Sequence, residues 1–341
     1  MKIPGFLKDG GTIGFVAPSF GCNIEPYKSG FISAQNKFKE MGYKLEIGSN
    51  CYEGCGIGIS NTPEKCGEEL NCFMTTKKAD VVISCGGGEL MCEVLDYVNF
   101  NSISRAEPVW YMGFSDNTNM TFLLPTICDT ASIYAPCAPA FGMRTWHKSI
   151  QDAFDIITGR ISEVHGYDMW EKESLKTEEN PLEPYNVTER KNLVYYNDNN
   201  SNCADISGRL IGGCLDCLGT LVGTKYDKVA EFNEKYKEDG IIWFLEACDL
   251  NVMGIRRTLW QLAHAGWFEY VKGFLIGRPF CFGEEFLGLD QYRAVTGILG
   301  DYNVPVIMDM DIGHLPPMMP LITGVNVHVI AGGNEVSVKY N

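Results

Sequence analysis

The chain has 341 residues, 45% of them apolar and 21% charged, the balance of a soluble globular protein long enough for two domains. Its 28 Lys and Arg stand against 43 Asp and Glu, and the net charge of −15 disfavours binding to nucleic-acid backbones or anionic lipid, both of which need basic surface. No apolar run approaches the roughly 20 residues that cross a bilayer. The opening Met1-Lys2-Ile3-Pro4-Gly5 has no hydrophobic core or cleavage site of a secretory signal, so a cytoplasmic protein without a membrane partner is expected.

In chain order, Gly11 to Pro18 reads as a short apolar strand with a proline stop, and Tyr27, Phe31, Ala34, Phe38 and Met41 follow at helical spacing, with Gly42 where a C-cap belongs. Tyr43 to Ile47 predicts a second strand. Asn61-Thr62-Pro63-Glu64 starts a helix that runs to about Thr75, and Ala79 to Ser84 is a third strand. Cys85-Gly86-Gly87-Gly88-Glu89 comes next, then a helical pattern through Met91, Val94 and Leu95, then a buried strand, Pro108 to Met112. This alternation predicts a parallel sheet with helices on both faces, a flavodoxin-like α/β domain over 1–165.

Residues 166–204 change character, with a charged run, prolines and the tract Tyr195-Tyr196-Asn197-Asp198-Asn199-Asn200. They are expected to form an inter-domain linker and substrate loop. A smaller C-terminal α/β domain over 205–341 then begins with a helix start at Leu210-Ile211-Gly212-Gly213. It continues through a buried strand, Gly240 to Leu245, that ends in Glu246, a helix from about Asn251 to Ala265, and a strand from Val271 to Ile276. Val304 to Met308 is a further strand, and Val325–Ile330 with Glu335–Tyr340 reads as a hairpin turning at Gly332-Gly333-Asn334. The 14 cysteines suit small apolar core residues in a reducing compartment. The C-x-x-C of Cys214 and Cys217, with Cys51 and Cys55, could be imagined as a zinc site, although inward packing fits it as well. No metal or cofactor is expected.

Trp110-Tyr111-Met112-Gly113-Phe114-Ser115-Asp116-Asn117-Thr118 joins a strand, a sharp turn bearing one hydroxyl and a helix start. That arrangement presents a nucleophile and aims backbone N–H groups at its target, though the usual second glycine of a nucleophile elbow is missing. A helix cap is the alternative for Ser115. A serine needs a base, and the base an orienting acid. Of five histidines, His147 and its neighbours look like surface, His264 looks like a core or interface residue, His328 lies in an alternating strand, and His165 has no distinguishing context. His314 follows a glycine after a strand and is the leading base. Glu246 at a strand end is the leading acid, with a salt bridge to Arg256 or Arg257 as its competing role, and Asp249, Asp309 and Asp311 are weaker candidates. The glycine cluster lacks the tail of a phosphate loop and suits an oxyanion hole, with the Gly87 N–H paired with that of Asp116.

Taken together, GTIGFVAPS at 11–19, Gly86-Gly87 after a strand, GFSDNT at 113–118, LIGGCLDCLGTLVGT at 210–224, WFLEACD at 243–249 and GHLPPMMPLITGV at 313–325 resemble the LD-carboxypeptidases and their relatives, the microcin C self-immunity peptidases. The resemblance spans nearly the whole chain. It implies a metal-free serine peptidase with Ser115 as nucleophile, His314 as general base and acid, and Glu246 orienting the imidazole; it also implies a homodimer. Muropeptide-cleaving members carry an arginine before the Gly-Gly and a tyrosine after it, where this chain has Cys85 and Gly88. Immunity-type members carry a tryptophan-bearing loop, which Asp168-Met169-Trp170-Glu171 resembles, so Gly86 and Trp170 are implied substrate contacts. The implied substrate is a microcin C-like peptidyl or aminoacyl nucleotide. A muropeptide tetrapeptide losing its terminal D-Ala is the alternative. A non-catalytic ligand-binding module and a nucleotide-binding protein using the glycine cluster are rivals of other classes.

Overall fold

The computed structural model describes residues 1–198 and 201–341; Asn199 and Asn200 of the predicted linker lie outside the described residues. It divides into two compact units, Met1–Ile161 with Glu173–Asn186, and Ser162–Lys172 with Val187–Asn341. The tract 166–204 is therefore shared between them.

In the first unit, β1 (Thr12–Val16), β2 (Lys44–Ile47), β3 (Val81–Ser84), β4 (Trp110–Gly113) and β5 (Ser132–Tyr134) lie in the order 2-1-3-4-5, all parallel. This is the flavodoxin-like arrangement, in which ligands sit at the carboxyl ends of the strands. Central strands β3 and β4 are fully buried, as their unbroken apolar runs require, whereas edge strand β2 is largely exposed. The connections carry α1 (Tyr27–Glu40), α2 (Pro63–Thr75), α3 (Phe100–Arg105), α4 (Thr118–Thr121), α5 (Leu123–Cys128) and α6 (Lys148–Thr158). Helix α2 starts as its sequence dictates, with Pro63 in the first turn and the Thr62 side chain accepting from Lys65 N. In α1 the buried face is Phe31, Ala34 and Phe38, while Tyr27 and Met41 at its ends are exposed.

The second unit holds β6 (Glu163–His165), β7 (Met169–Trp170), β8 (Glu189–Arg190), β9 (Val194–Tyr196), β10 (Cys203–Cys214), β11 (Ile241–Glu246), β12 (Val271–Gly277), β13 (Val306–Met310), β14 (Leu321–Thr323), β15 (Asn326–Gly332) and β16 (Glu335–Tyr340). Eight of these form a mixed sheet in the order 6-16-15-10-11-12-13-9, with β10 to β13 parallel. Its helices are α7 (Leu215–Leu221), α8 (Val229–Lys235), α9 (Val252–His264) and α10 (Gln291–Leu299).

One sequence expectation is corrected here. Leu210 to Gly213 do not start a helix; they continue the long strand β10, paired residue by residue with Ile242 to Leu245, and the helix begins only at Leu215. The pair of glycines interrupts the period-2 pattern, so the run carries no local strand signal, and tertiary pairing decides it.

Candidate active site

In the first unit the turn after β4 holds Ser115 at φ +63°, a left-handed conformation unusual for a serine. A capping residue sits in the extended region, so this backbone conformation contradicts a simple cap. It matches the strained strand-to-helix elbow that projects a nucleophile. Tyr134 Oη accepts from the Ser115 N–H at 3.2 Å. The hydroxyl-bearing residue is half-buried, whereas Asp116 and Asn117 beyond it are buried.

The glycine loop after β3 lies directly against this turn. A Cβ placed on Gly87 would come 3.0 Å from both Cβ and Oγ of Ser115, so the missing side chain is what lets the backbone approach the hydroxyl. The Asp116 carboxylate ties down the surroundings, accepting from Ser19 Oγ at 2.5 Å, Met91 N at 2.9 Å and Asn119 Nδ2 at 3.1 Å. Gly86 offers its carbonyl to Asn117 Nδ2 at 2.7 Å. Cys85, just before it, is buried, and burial drives its thiol well above the usual range, so it serves as an uncharged core residue.

In the second unit, Glu246 ends β11 with its side chain fully enclosed, and Oε2 lies 2.8 Å from Nδ1 of His314. The carboxylate partners this imidazole; Arg256, a competing partner in the sequence, instead donates to the carbonyls of Arg293 and Gly297. Gly313 makes the approach possible. Its φ is +100°, and a Cβ there would stand 2.6 Å from Glu246 Oε2. Burial alone would lower the pKa of His314. The Glu246 charge, with the Cys248 thiol adding to it, outweighs burial and holds the imidazole well above its ordinary value. An ionised carboxylate only accepts, so Nδ1 carries the proton and Nε2 is the basic nitrogen.

Asp216 was not singled out in the sequence, yet it braces this site. Its carboxylate accepts from the backbone N–H groups of Cys248 and Asp249 at 3.0 Å and of Leu250 at 3.1 Å, fixing the loop that follows Glu246. Its place inside the C-x-x-C, as the Asp of Cys214-Leu215-Asp216-Cys217, was the available signal. Cys214 and Cys217 are buried and not joined in a disulfide, Cys214 Sγ donating to Asp216 Oδ2 at 3.2 Å, and among the described residues no group of three or more His, Cys, Asp or Glu is arranged to hold a metal ion.

The remaining candidates are engaged elsewhere. Asp311 is fully buried, 2.5 Å from the Arg278 guanidinium, and accepts from Tyr167 N at 2.7 Å; Asp309 accepts from Tyr292 Oη at 2.6 Å. Trp170 is the substrate contact that the resemblance implies. It is 5% exposed, packed edge-on against Phe282 with ring centroids 5.1 Å apart, and Arg278 lies 5.0 Å over its ring. His264 lies outside the core, exposed on α9 and stacked on Trp260 with ring centroids 4.0 Å apart. His147 begins α6 and accepts from Ser149 N, His328 lies 2.7 Å from Asp205, and His165 is exposed on β6.

The first unit carries a serine in a left-handed turn at the end of a parallel strand, and the second carries an imidazole oriented by a carboxylate. Residues 13–135 match the LD-carboxypeptidase N-terminal domain and residues 207–329 match the LD-carboxypeptidase C-terminal domain, so the chain belongs to the LD-carboxypeptidase family and is a serine-type peptidase. Among its relatives, the microcin C7 self-immunity protein of Escherichia coli is 23% identical over 341 aligned residues, covering 97% of this chain and 94% of the relative. A Vibrio cholerae protein named as a carboxypeptidase is 24% identical, covering 94% of this chain and 92% of its own length. The structure of the microcin C7 self-immunity protein in complex with aspartyl sulfamoyl adenosine superposes with a TM-score of 0.82 at 21% identity, covering 99% of this chain and 98% of the other.

Proposed function

We propose that this peptidase hydrolyses the amide of a microcin C-like aminoacyl or peptidyl nucleotide through a Ser115–His314–Glu246 triad. The observation that carries the reading is the buried Glu246 carboxylate 2.8 Å from His314 Nδ1, which leaves Nε2 as a base. In the proposed reaction His314 takes the Ser115 proton as Oγ attacks the substrate carbonyl. The N–H groups of Gly87 and Asp116 receive the oxyanion, and Glu246 stabilises the imidazolium. The imidazolium then protonates the leaving amine. Water, activated by the same nitrogen, hydrolyses the acyl-enzyme.

The choice of substrate is supported by the relatives, since the Escherichia coli protein is named for self-immunity to microcin C7 and is known in complex with aspartyl sulfamoyl adenosine. Cys85 supports it as well. A buried neutral thiol before Gly86 supplies no cation for a peptide's terminal carboxylate, where muropeptide-cleaving members have arginine. The family's own name favours the second reading, removal of terminal D-Ala from a muropeptide tetrapeptide. The proposal places the enzyme in the cytoplasm as a homodimer. No described helix is long and apolar enough to cross a membrane.

The decisive experiment offers the purified protein an aminoacyl sulfamoyl adenosine and a muropeptide tetrapeptide side by side. The first should be cut, and Ser115→Ala should abolish cleavage while leaving the melting temperature nearly unchanged. Exclusive cleavage of the tetrapeptide would transfer the assignment to the second reading, and activity retained by Ser115→Ala would end the triad assignment. Sedimentation velocity tests the dimer.

A further inference from the structure

We propose that Asn117 is the positioning residue of the oxyanion hole, the side chain that sets the orientation of the Gly86–Gly87 peptide relative to Ser115. The inference rests on the reading of Ser115 as nucleophile and of the Gly87 N–H as an oxyanion donor.

Three glycines in a row, 86 to 88, have the widest backbone freedom of any tripeptide and cannot hold a peptide plane in one orientation by themselves. An oxyanion donor is effective only when it is already oriented before charge develops. The hold must therefore come from outside the loop: Ser84 Oγ donates to the Gly86 carbonyl at 3.1 Å, and Asn117 makes the shorter bond and alone links that carbonyl to the serine turn. Its side chain is fully buried, and Nδ2 donates to Gly86 O at 2.7 Å and to Phe114 O at 3.0 Å. An amide nitrogen has two protons, so both are committed. Tyr111 decides which way the amide is turned, because its phenol donates to Asn117 Oδ1 at 2.5 Å and leaves Nδ2 facing the two carbonyls.

Each of those carbonyls belongs to a peptide with a function in the site. The Phe114 carbonyl shares its plane with the Ser115 N–H, whose own partner is Tyr134 Oη. The Gly86 carbonyl shares its plane with the Gly87 N–H. In a trans peptide the C=O and N–H point in opposite directions, so a carbonyl held by Asn117 turns the Gly87 N–H away from that side chain. The next peptide is anchored too, since Gly87 O accepts from Phe20 N at 2.8 Å. One buried amide thus couples the turn that carries the hydroxyl to the loop that carries the donor.

The test compares Asn117→Asp and Tyr111→Phe with the wild type, measuring steady-state kinetics, the rate of Ser115 labelling by a fluorophosphonate, and cooperative unfolding. Asn117→Asp keeps the size and the Oδ1 acceptor but sets an oxygen against two carbonyls. Its kcat should fall about 100-fold, the scale of one lost oxyanion donor, with KM within about twofold and labelling slowed in parallel. Tyr111→Phe should move the same quantities the same way by roughly 2- to 10-fold, and it carries the test if the aspartate variant does not fold. Folded variants that label and turn over at the wild-type rate would overturn the inference. So would a loss confined to KM and thermal stability. A wild-type protein that takes no label overturns the nucleophile reading itself, and this inference with it.

Discussion

His314 Nδ1 lies 2.8 Å from Oε2 of a Glu246 side chain that is wholly enclosed, and the intervening Gly313, at φ +100°, leaves no atom in the way. This single contact has consequences for the pH dependence of both activity and stability.

A general base must be neutral to act, so kcat/KM should rise with pH along a limb whose midpoint lies above the 6.5 of an ordinary imidazole. In Glu246→Gln the raising charge is gone and burial acts against the imidazolium, so the midpoint should move down while kcat falls by about 10⁴-fold. A pH–rate profile of both proteins reads this directly; coincident limbs would contradict it.

The same contact bears on folding. Because the folded-state pKa of His314 is raised, the pair's stabilisation is fully present below the unfolded pKa and is lost as pH climbs through the folded value. Urea titrations should show the wild type's advantage over Glu246→Gln shrinking from pH 6 to the alkaline side. An advantage that grows with pH would mean the sign is wrong.

Gly313→Ala should be damaging on two counts, a left-handed backbone and a Cβ 2.6 Å from the carboxylate oxygen. We expect a stability loss of about 1–3 kcal/mol and a loss of kcat far larger than the change in KM. By contrast, Gly87→Ala meets only Ser115, at 3.0 Å. It should lower kcat at least about tenfold with a melting temperature close to wild type. Calorimetry paired with kinetics separates the two cases.

Asp216→Ala removes the acceptor of three backbone N–H groups after Glu246. Leaving them unsatisfied should cost about 1–3 kcal/mol and loosen the loop. Hydrogen exchange at residues 248–250 should accelerate, and unchanged protection there would refute the bracing role.

Arg278 and Asp311, fully buried and 2.5 Å apart, form a pair whose halves depend on each other. Asp311→Asn should cost about 3–5 kcal/mol by stranding a buried guanidinium, whereas replacing both by apolar residues should recover most of that loss. Denaturant midpoints for the single and double variants provide the comparison.

Much of this molecule is legible along the chain. The parallel alternation of the first unit follows from short apolar runs between helical patterns, and GFSDNT already shows a strand giving way to a turn with a hydroxyl. Glu246 and His314 stand out because each follows a strand, where side chains of such sheets reach ligands. Strand β10 was not legible, since its glycines pack against a neighbour and carry no period of their own. The surroundings of Trp170 are not legible along the chain either. An aromatic in a polar stretch looks available until Phe282 and Arg278, more than a hundred positions away, are seen against it.

Local order thus determined which residues could be nucleophile, base and acid, because strand ends and turns are written in nearest-neighbour patterns of apolar residues, glycine and proline. Tertiary structure alone decided which partner each side chain has: the carboxylate of residue 246 facing an imidazole 68 positions on, the amide of residue 117 clasping a carbonyl 31 positions back, and the tryptophan sealed into a core. Such pairings depend on distances across the fold, and no local periodicity encodes them.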